Sequence, residues 1–166
     1  MTEPIKQPVE AAKTVEEKIK AVNKILQDGE PTNISVDSYS GYSGYKPQYI
    51  VDALNAVFGI GGWGFEEIAT DIVTSQTEKG TSSLAIAQVK VWLKDVNFQP
   101  VGWGQSRITK GDIGDAKKGA QTDAIKKALS YFSVGNRAYH GRLRTEFAGN
   151  GQKSGSLSTN RLSVSH

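Results

Sequence analysis

The sequence predicts an α+β domain in which an antiparallel three-stranded β-meander packs against one long α-helix. N-terminal helices precede this β-β-β-α core and a flexible C-terminal tail follows it. Three observations carry the expectation. Two segments before residue 60 repeat apolar residues at helical spacing, "SLAIAQVKVWLK" alternates at period two, and the chain from Asp112 to Phe132 returns to helical period. Helices, then strands, then a helix is the order of an α+β domain.

The first element is "TVEEKIKAVNKIL". Thr14 and Glu17 have the capping-box spacing, Val15, Ile19, Val22 and Leu26 form one stripe, and Gly29 is a stop. "DSYSGYSGYKPQ" (37–48) reads as a loop with tyrosines at 39, 42 and 45. In "PQYIVDALNAVFG" Pro47 suits a first helical turn, Ile50, Leu54, Val57 and Phe58 share a face, and Gly59 ends the helix. "FEEIATDIVTS" is a weaker strand. In the next strand Ala85, Ala87, Val89, Val91 and Leu93 line one face, with Gln88, Lys90, Trp92 and Lys94 on the other. A short "DVN" turn leads into "FQPVGWGQSRIT", so these two strands should form a hairpin. Asp112 is the expected N-cap of the long helix, which runs for about five turns. The run from Gly149 contains no aromatic residue and is expected to be flexible. The chain therefore divides into an N-terminal helix and linker (1–36), a central domain (37–147) and a Gly/Ser-rich tail (148–166).

Composition excludes several classes of function. The 166 residues contain no cysteine, which removes disulfides, iron–sulfur clusters and thiolate zinc sites. His140 and His166 cannot make a multi-histidine metal centre. No apolar run is long enough to span a bilayer, and "MTEPIKQPVE" has no apolar signal core. A cytoplasmic, nucleoid-associated location without membrane contact is the expectation.

Charge is segregated along the chain. Residues 1–106 hold nine Lys/Arg against thirteen Asp/Glu, a net of −4. Residues 107–144 hold nine against three, a net of +6. On a helical wheel, Ala116, Ala120, Ala124, Ile125, Ala128, Leu129, Tyr131 and Phe132 cover one arc of the long helix. Gly119, Thr122, Asp123, Lys126 and Ser130 cover the opposite arc, with Lys118 and Lys127 at its borders. Lys117 falls on the apolar side in the first turn, where its stem can snorkel outwards. An ordinary solvated face would pair Asp123 with Lys126 and Lys127 at i+3 and i+4. The excess of cations, continued by Arg137, Arg142 and Arg144, favours an anionic partner instead. Arg107 and Lys110 lead into the same field. Tyrosines and the Lys90/Trp92 strand face add rings beside cations, the combination that binds single-stranded nucleic acid.

Four motifs in order, "LNAVFGIGGWGF" (54–65), "VKVWLKD" (89–95), "GWGQS" (102–106) and "AKKGAQTDAIKKALSYF" (116–132), resemble the Rad-fifty-two superfamily of single-strand annealing proteins. The spacing looks closest to the bacterial and phage branch typified by DdrA, the DNA damage response protein. The resemblance covers about residues 45–140, and the final helix is its most specific part. It implies ring-forming homo-oligomers that bind single-stranded DNA by its backbone in a basic groove, need no ATP or other cofactor, and break no covalent bond. Other repair proteins are implied partners. By motif, Lys118, Thr122, Lys126 and Lys127 occupy groove-lining positions, with Lys117 adding to the field. Asp123 is expected to orient lysines or bridge protomers. The chain departs from the pattern at Lys127, where arginine is common, at Ser130, where a further base is common, and in "SVGNRAY" after Phe132. A long C-terminal extension of the kind that recruits recombinases is not seen in these 166 residues, so recombinase loading is not expected.

Other motifs carry less. Gly59, Gly61 and Gly64 match the dinucleotide fingerprint, but a helix precedes them and a strand follows, the reverse of what that fingerprint needs. They suit a tight helix-to-strand reversal, with Trp63 capping the core. Trp103 reads as core packing or a protomer contact, and Trp92 as a stacking or interface residue. Tyr39, Tyr42 and Tyr45 read first as a mobile loop. Lys46 and Tyr49 open the second helix, whose N-terminus can meet an anion. Glu66 and Glu67 point to opposite strand faces, so with Asp71 they make a poor magnesium site, and no catalytic residue is expected. The competing readings are a duplex-RNA-binding module and a structural oligomer whose basic face binds an acidic protein.

Overall fold

The computed structural model describes residues 13–36 and 43–143. Its elements are α1 (Val15–Asp28), β1 (Ile34–Val36), β2 (Ser43–Tyr45), α2 (Pro47–Phe58), β3 (Trp63–Thr77), β4 (Gly80–Leu93), β5 (Val101–Arg107), α3 (Ile113–Ser130) and α4 (Asn136–Tyr139). The three long strands form an antiparallel sheet in the order β3-β4-β5, and α3 packs across it as expected. No helix among the described residues is long and apolar enough to cross a membrane.

Local signals place the helices. The Thr14 side chain accepts from the Glu17 amide and Glu17 returns the bond to Thr14, completing the capping box, and Gly29 caps the other end. Pro47 opens α2, and Gly59 ends it at φ +79°, a left-handed conformation that glycine adopts without strain. Gly61 (φ +85°) continues this reversal, and the Trp63 Nε1–H donates to Asn55 Oδ1 at 2.7 Å. Asp112 caps α3 by accepting from the Asp115 amide.

The core lies between β4 and the helices. Ala85, Ala87, Val89, Val91 and Leu93 are buried along one face of β4, as the alternation predicts. Opposite them α3 buries Ala116, Ala120, Ala124, Ala128 and Leu129. The alanine ridge sits almost on the β5 backbone. A Cβ at Gly102 would come within 2.2 Å of the Ala124 carbonyl oxygen, and one at Gly104 within 2.2 Å of the Ala120 oxygen and the Ala124 nitrogen. "GWG" is thus a helix-docking motif, with Trp103 turned to the opposite face.

Several expectations change. Trp103 is 58% exposed, so it is not core packing within this protomer. Tyr131 is exposed although the wheel put it on the apolar arc, because α3 stops at Ser130 and helical phase no longer applies. The segment 37–48 is not wholly a loop: Ser43–Tyr45 pairs antiparallel with Ile34–Val36, and Tyr45 is buried in the core. Tyr39, Tyr42, Arg144 and the tail lie outside the described residues. The weak strand is in fact fifteen residues long, held by β4 along its whole length with one bulge near Ile68. β4 and β5 are joined not by a tight turn but by residues 94–100, anchored where the Phe98 ring meets Phe132 edge-on at 5.5 Å.

Candidate nucleic-acid interface

An open groove of about 820 Å³ runs beside the second half of α3. The alanine ridge fixes the rotation of the helix on β5, and this sends Lys126 and Lys127 into the groove. The β1–β2 hairpin contributes Val36, Ser43 and Gly44, and the segment after α3 contributes Ala138 and Tyr139. Gly44 faces Lys126: a Cβ there would lie 4.0 Å from Lys126 Nζ, an ordinary contact.

The electrostatics differ from those of an ordinary solvated helix. Asp123 does not pair with Lys126 or Lys127; its Oδ2 accepts the Gln105 backbone N–H at 3.1 Å, tying α3 to the free edge of β5. Among the described residues neither lysine has a carboxylate partner within salt-bridge distance. Lys127 Nζ instead stands 5.4 Å from the centre of the Tyr139 ring. Burial, assisted by the nearby Asp123 carboxylate, pushes the Tyr139 phenol up to about 12, against a hydrogen bond with Ser130. The groove therefore combines two uncompensated ammonium groups, one fixed acid and one ring that stays neutral at ordinary pH.

A second polar cluster holds the groove walls. Glu30 Oε1 accepts from the Tyr45 hydroxyl at 2.5 Å and from Arg137 Nε at 3.2 Å, while Oε2 accepts from Arg137 Nη2 at 3.3 Å. The Glu30 and Arg137 side chains are only 9% and 16% exposed. Burial, then the Glu30 carboxylate, drive the Tyr45 phenol well above its usual range, with Arg137 opposing. Nearby, Asn23 Nδ2 donates to the Ser133 carbonyl and Asn23 Oδ1 accepts from the Gly135 amide, both at 2.8 Å. Helix α1 and the turn after it thus fix β2 and the α4 segment in one arrangement.

Of the residues expected to bind, Lys126 and Lys127 meet in this groove. Lys117 and Lys118 are exposed on the first half of α3, with Arg107 and Lys110 exposed at the end of β5 and in the turn after it. Thr122 lies beside α2, in a small crevice with Pro47, Val51 and Trp63. Lys46 donates to the Thr32 carbonyl at 2.9 Å and stands 5.9 Å from the Tyr49 ring at the start of α2. Lys90 and Trp92 are on the sheet face away from α3. Lys90 pairs with Glu66 at 2.9 Å, and Trp92 lies over Gly64, where a Cβ would come within 2.4 Å of its ring. Arg137 is held by Glu30, and Arg142 is exposed beyond α4. Sequence reasoning missed Val36, Gly44 and Tyr139. Tyr139 alone carried a signal, an aromatic residue in the segment that departs from the family pattern.

Comparison with known proteins adds an independent observation. The profile described as "Rad52/22 family double-strand break repair protein" matches residues 18–155. The chain is 34% identical over 118 residues to the DNA repair and recombination protein radC of Emericella nidulans, and 32% identical over 118 residues to mus-11 of Neurospora crassa, which bears the same description. Each alignment covers 63% of this chain and 20% of the relative. Identity to the DNA repair and recombination protein RAD52 of Eremothecium gossypii is 31% over 96 residues, covering 54% of this chain and 22% of the relative. The chain thus spans about a fifth of the length of the curated relatives it matches.

Proposed function

Because the chain belongs to the Rad52/22 family of double-strand break repair proteins, we propose that it binds single-stranded DNA along the α3 groove and anneals complementary strands in repair and recombination. The observation that carries this reading is the pair Lys126 and Lys127, which line an open groove and, among the described residues, have no carboxylate within salt-bridge distance. A phosphate backbone supplies the missing counter-charge and releases condensed ions as it binds. Nothing in this scheme breaks a covalent bond or consumes ATP. DNA bound mainly through its backbone leaves bases free to meet a second strand, and covered ends are protected.

Two lysines per protomer hold few phosphates, so tight binding needs many grooves acting together. A ring or arc of copies would provide this. β3 offers a surface for such assembly: among the described residues its outer edge is unpaired, and Phe65, Ile68, Ile72 and Val73 are exposed along it. Carboxylates on β3 (Glu67, Asp71) and the basic end of β5 and α3 (Arg107, Lys110, Lys117, Lys118) suit a head-to-tail contact. Membership of the DdrA-type branch is part of this proposal and rests on the motif spacing alone.

The test is binding of a fluorescent single-stranded oligonucleotide over a salt series. For single strands each phosphate contact contributes roughly 0.7 to the slope of log K against log salt. Lys126→Ala/Lys127→Ala should therefore flatten the slope by about 1.4 per protomer engaged and abolish annealing. Binding that survives the double substitution unchanged would show that the strand does not follow this groove. A preference for duplex RNA over single-stranded DNA would favour the shape-reading alternative.

A further inference from the structure

We propose that the groove captures one nucleobase of the bound strand per protomer, stacked on Tyr139, so that each protomer registers a base as well as a backbone. The inference rests on the reading of the groove as a single-strand track. A phosphate track needs cations and backbone donors, yet the accessible wall of this groove beside the two lysines also carries Val36, the half-buried Ala138 and the Tyr139 ring. Val36 is 60% exposed and Tyr139 is 47% exposed, although both are apolar surfaces inside a concave site. Phosphate gains nothing from such surface, whereas a base stacks on a ring whatever its sequence.

The position of the ring fits that role. Lys127 Nζ stands over the ring, 5.4 Å from its centre, so the ammonium and the ring share one wall of the groove. A strand in the groove can therefore meet the ammonium with a phosphate and the ring with a base. α4 is tied to the turn after α1 through Arg137–Glu30, and the residues leading into it are tied to α1 through Asn23, so the platform is pre-set before DNA arrives. A captured base also divides the strand into exposed runs of defined length between protomers. This offers a second strand short, ordered stretches to test.

The experiment compares an oligothymidylate with an abasic oligonucleotide of equal length and backbone charge, each titrated with wild type, Tyr139→Phe, Tyr139→Leu and Lys126→Ala/Lys127→Ala. Wild type and Tyr139→Phe should prefer the base-bearing strand by roughly 5- to 150-fold, the range of one base–aromatic stack. Tyr139→Leu should lose most of that preference while keeping the wild-type salt slope on both strands. Circular dichroism melting confirms that it is folded. Equal affinity of wild type for both strands, with a normal salt slope, would overturn the base pocket and leave the backbone track standing. Absence of salt-dependent binding to either strand would overturn the track, and the base pocket with it.

Discussion

The Glu30–Arg137 pair makes opposite predictions depending on what Arg137 is for. If the arginine grips DNA, Glu30 restrains it, and Glu30→Gln should release a cation and tighten binding. If the pair is a clamp on the groove walls, Glu30→Gln should weaken binding, because β2 and α4 lose their common anchor at Tyr45 and Arg137. The side chains are 9% and 16% exposed, so solvent screening is slight. Removing one partner of such a pair costs about 3–5 kcal/mol, while replacing both by apolar groups is often far less costly. Glu30→Leu and Arg137→Met should each lower the free energy of unfolding by about 3 kcal/mol. The double variant should lose much less than the sum, with a coupling of roughly 1.5 kcal/mol or more. Domain stabilities of about 5–15 kcal/mol leave the single variants measurable by urea titration. The clamp predicts weaker single-strand binding for both single variants. Additive stability losses, together with tighter binding by Glu30→Gln, would refute it and return Arg137 to the DNA surface.

Two further outcomes follow from packing and titration. Gly104→Ala must lift α3 off β5, because the new Cβ would meet helix backbone at 2.2 Å; a loss of about 3 kcal/mol is expected by denaturant unfolding. Gly114→Ala, with only the Asp112 carboxylate 3.7 Å away, should be neutral or stabilising by up to about 1 kcal/mol. In an alkaline absorbance titration Tyr139 should ionise near 12 and Tyr45 later still, and Asp123→Asn should lower the Tyr139 value. Both phenols bind their protons more tightly folded than unfolded. Their contribution to stability is therefore complete below about pH 10 and is lost as pH rises from there through 12 and beyond, read as a falling urea midpoint.

What could be read from the sequence was what short-range physics writes. The capping box at Thr14, the stop at Gly59, the alternation of β4 and the Asp112 cap each depend on residues within a few positions, and the structure keeps all four. The β1–β2 hairpin was missed because its strands are three residues long, too short for an alternation to register. Tyr45 looked like part of a polar loop because its partners, Glu30 and Arg137, are 15 and 92 positions away in a chain whose local pattern is Gly, Ser and Tyr. The Asn23–Gly135 bond spans 112 positions and has no signature in either neighbourhood. The walls of the groove are made of such contacts. The sequence could therefore identify the helix that supplies the charge, but not the surface that faces it.

The same distinction limits what a run of basic residues means. Nine cations between residues 107 and 144 suggest one broad positive surface, but the fold distributes them. Arg137 is turned inward to Glu30, Lys117 and Lys118 sit on the first half of α3, and two lysines occupy the groove. A charge count would predict a salt slope from nine contacts; the groove predicts one from about two per protomer, at roughly 0.7 each. If a strand spans several protomers, the total slope should grow with the number of protomers it reaches, while the slope per protomer stays near 1.4. Titrating oligonucleotides of increasing length separates the two cases. A steep slope already present on the shortest strand that binds would mean that the outlying cations join the track. A slope that rises in steps with length would mean that the two groove lysines are the repeated unit.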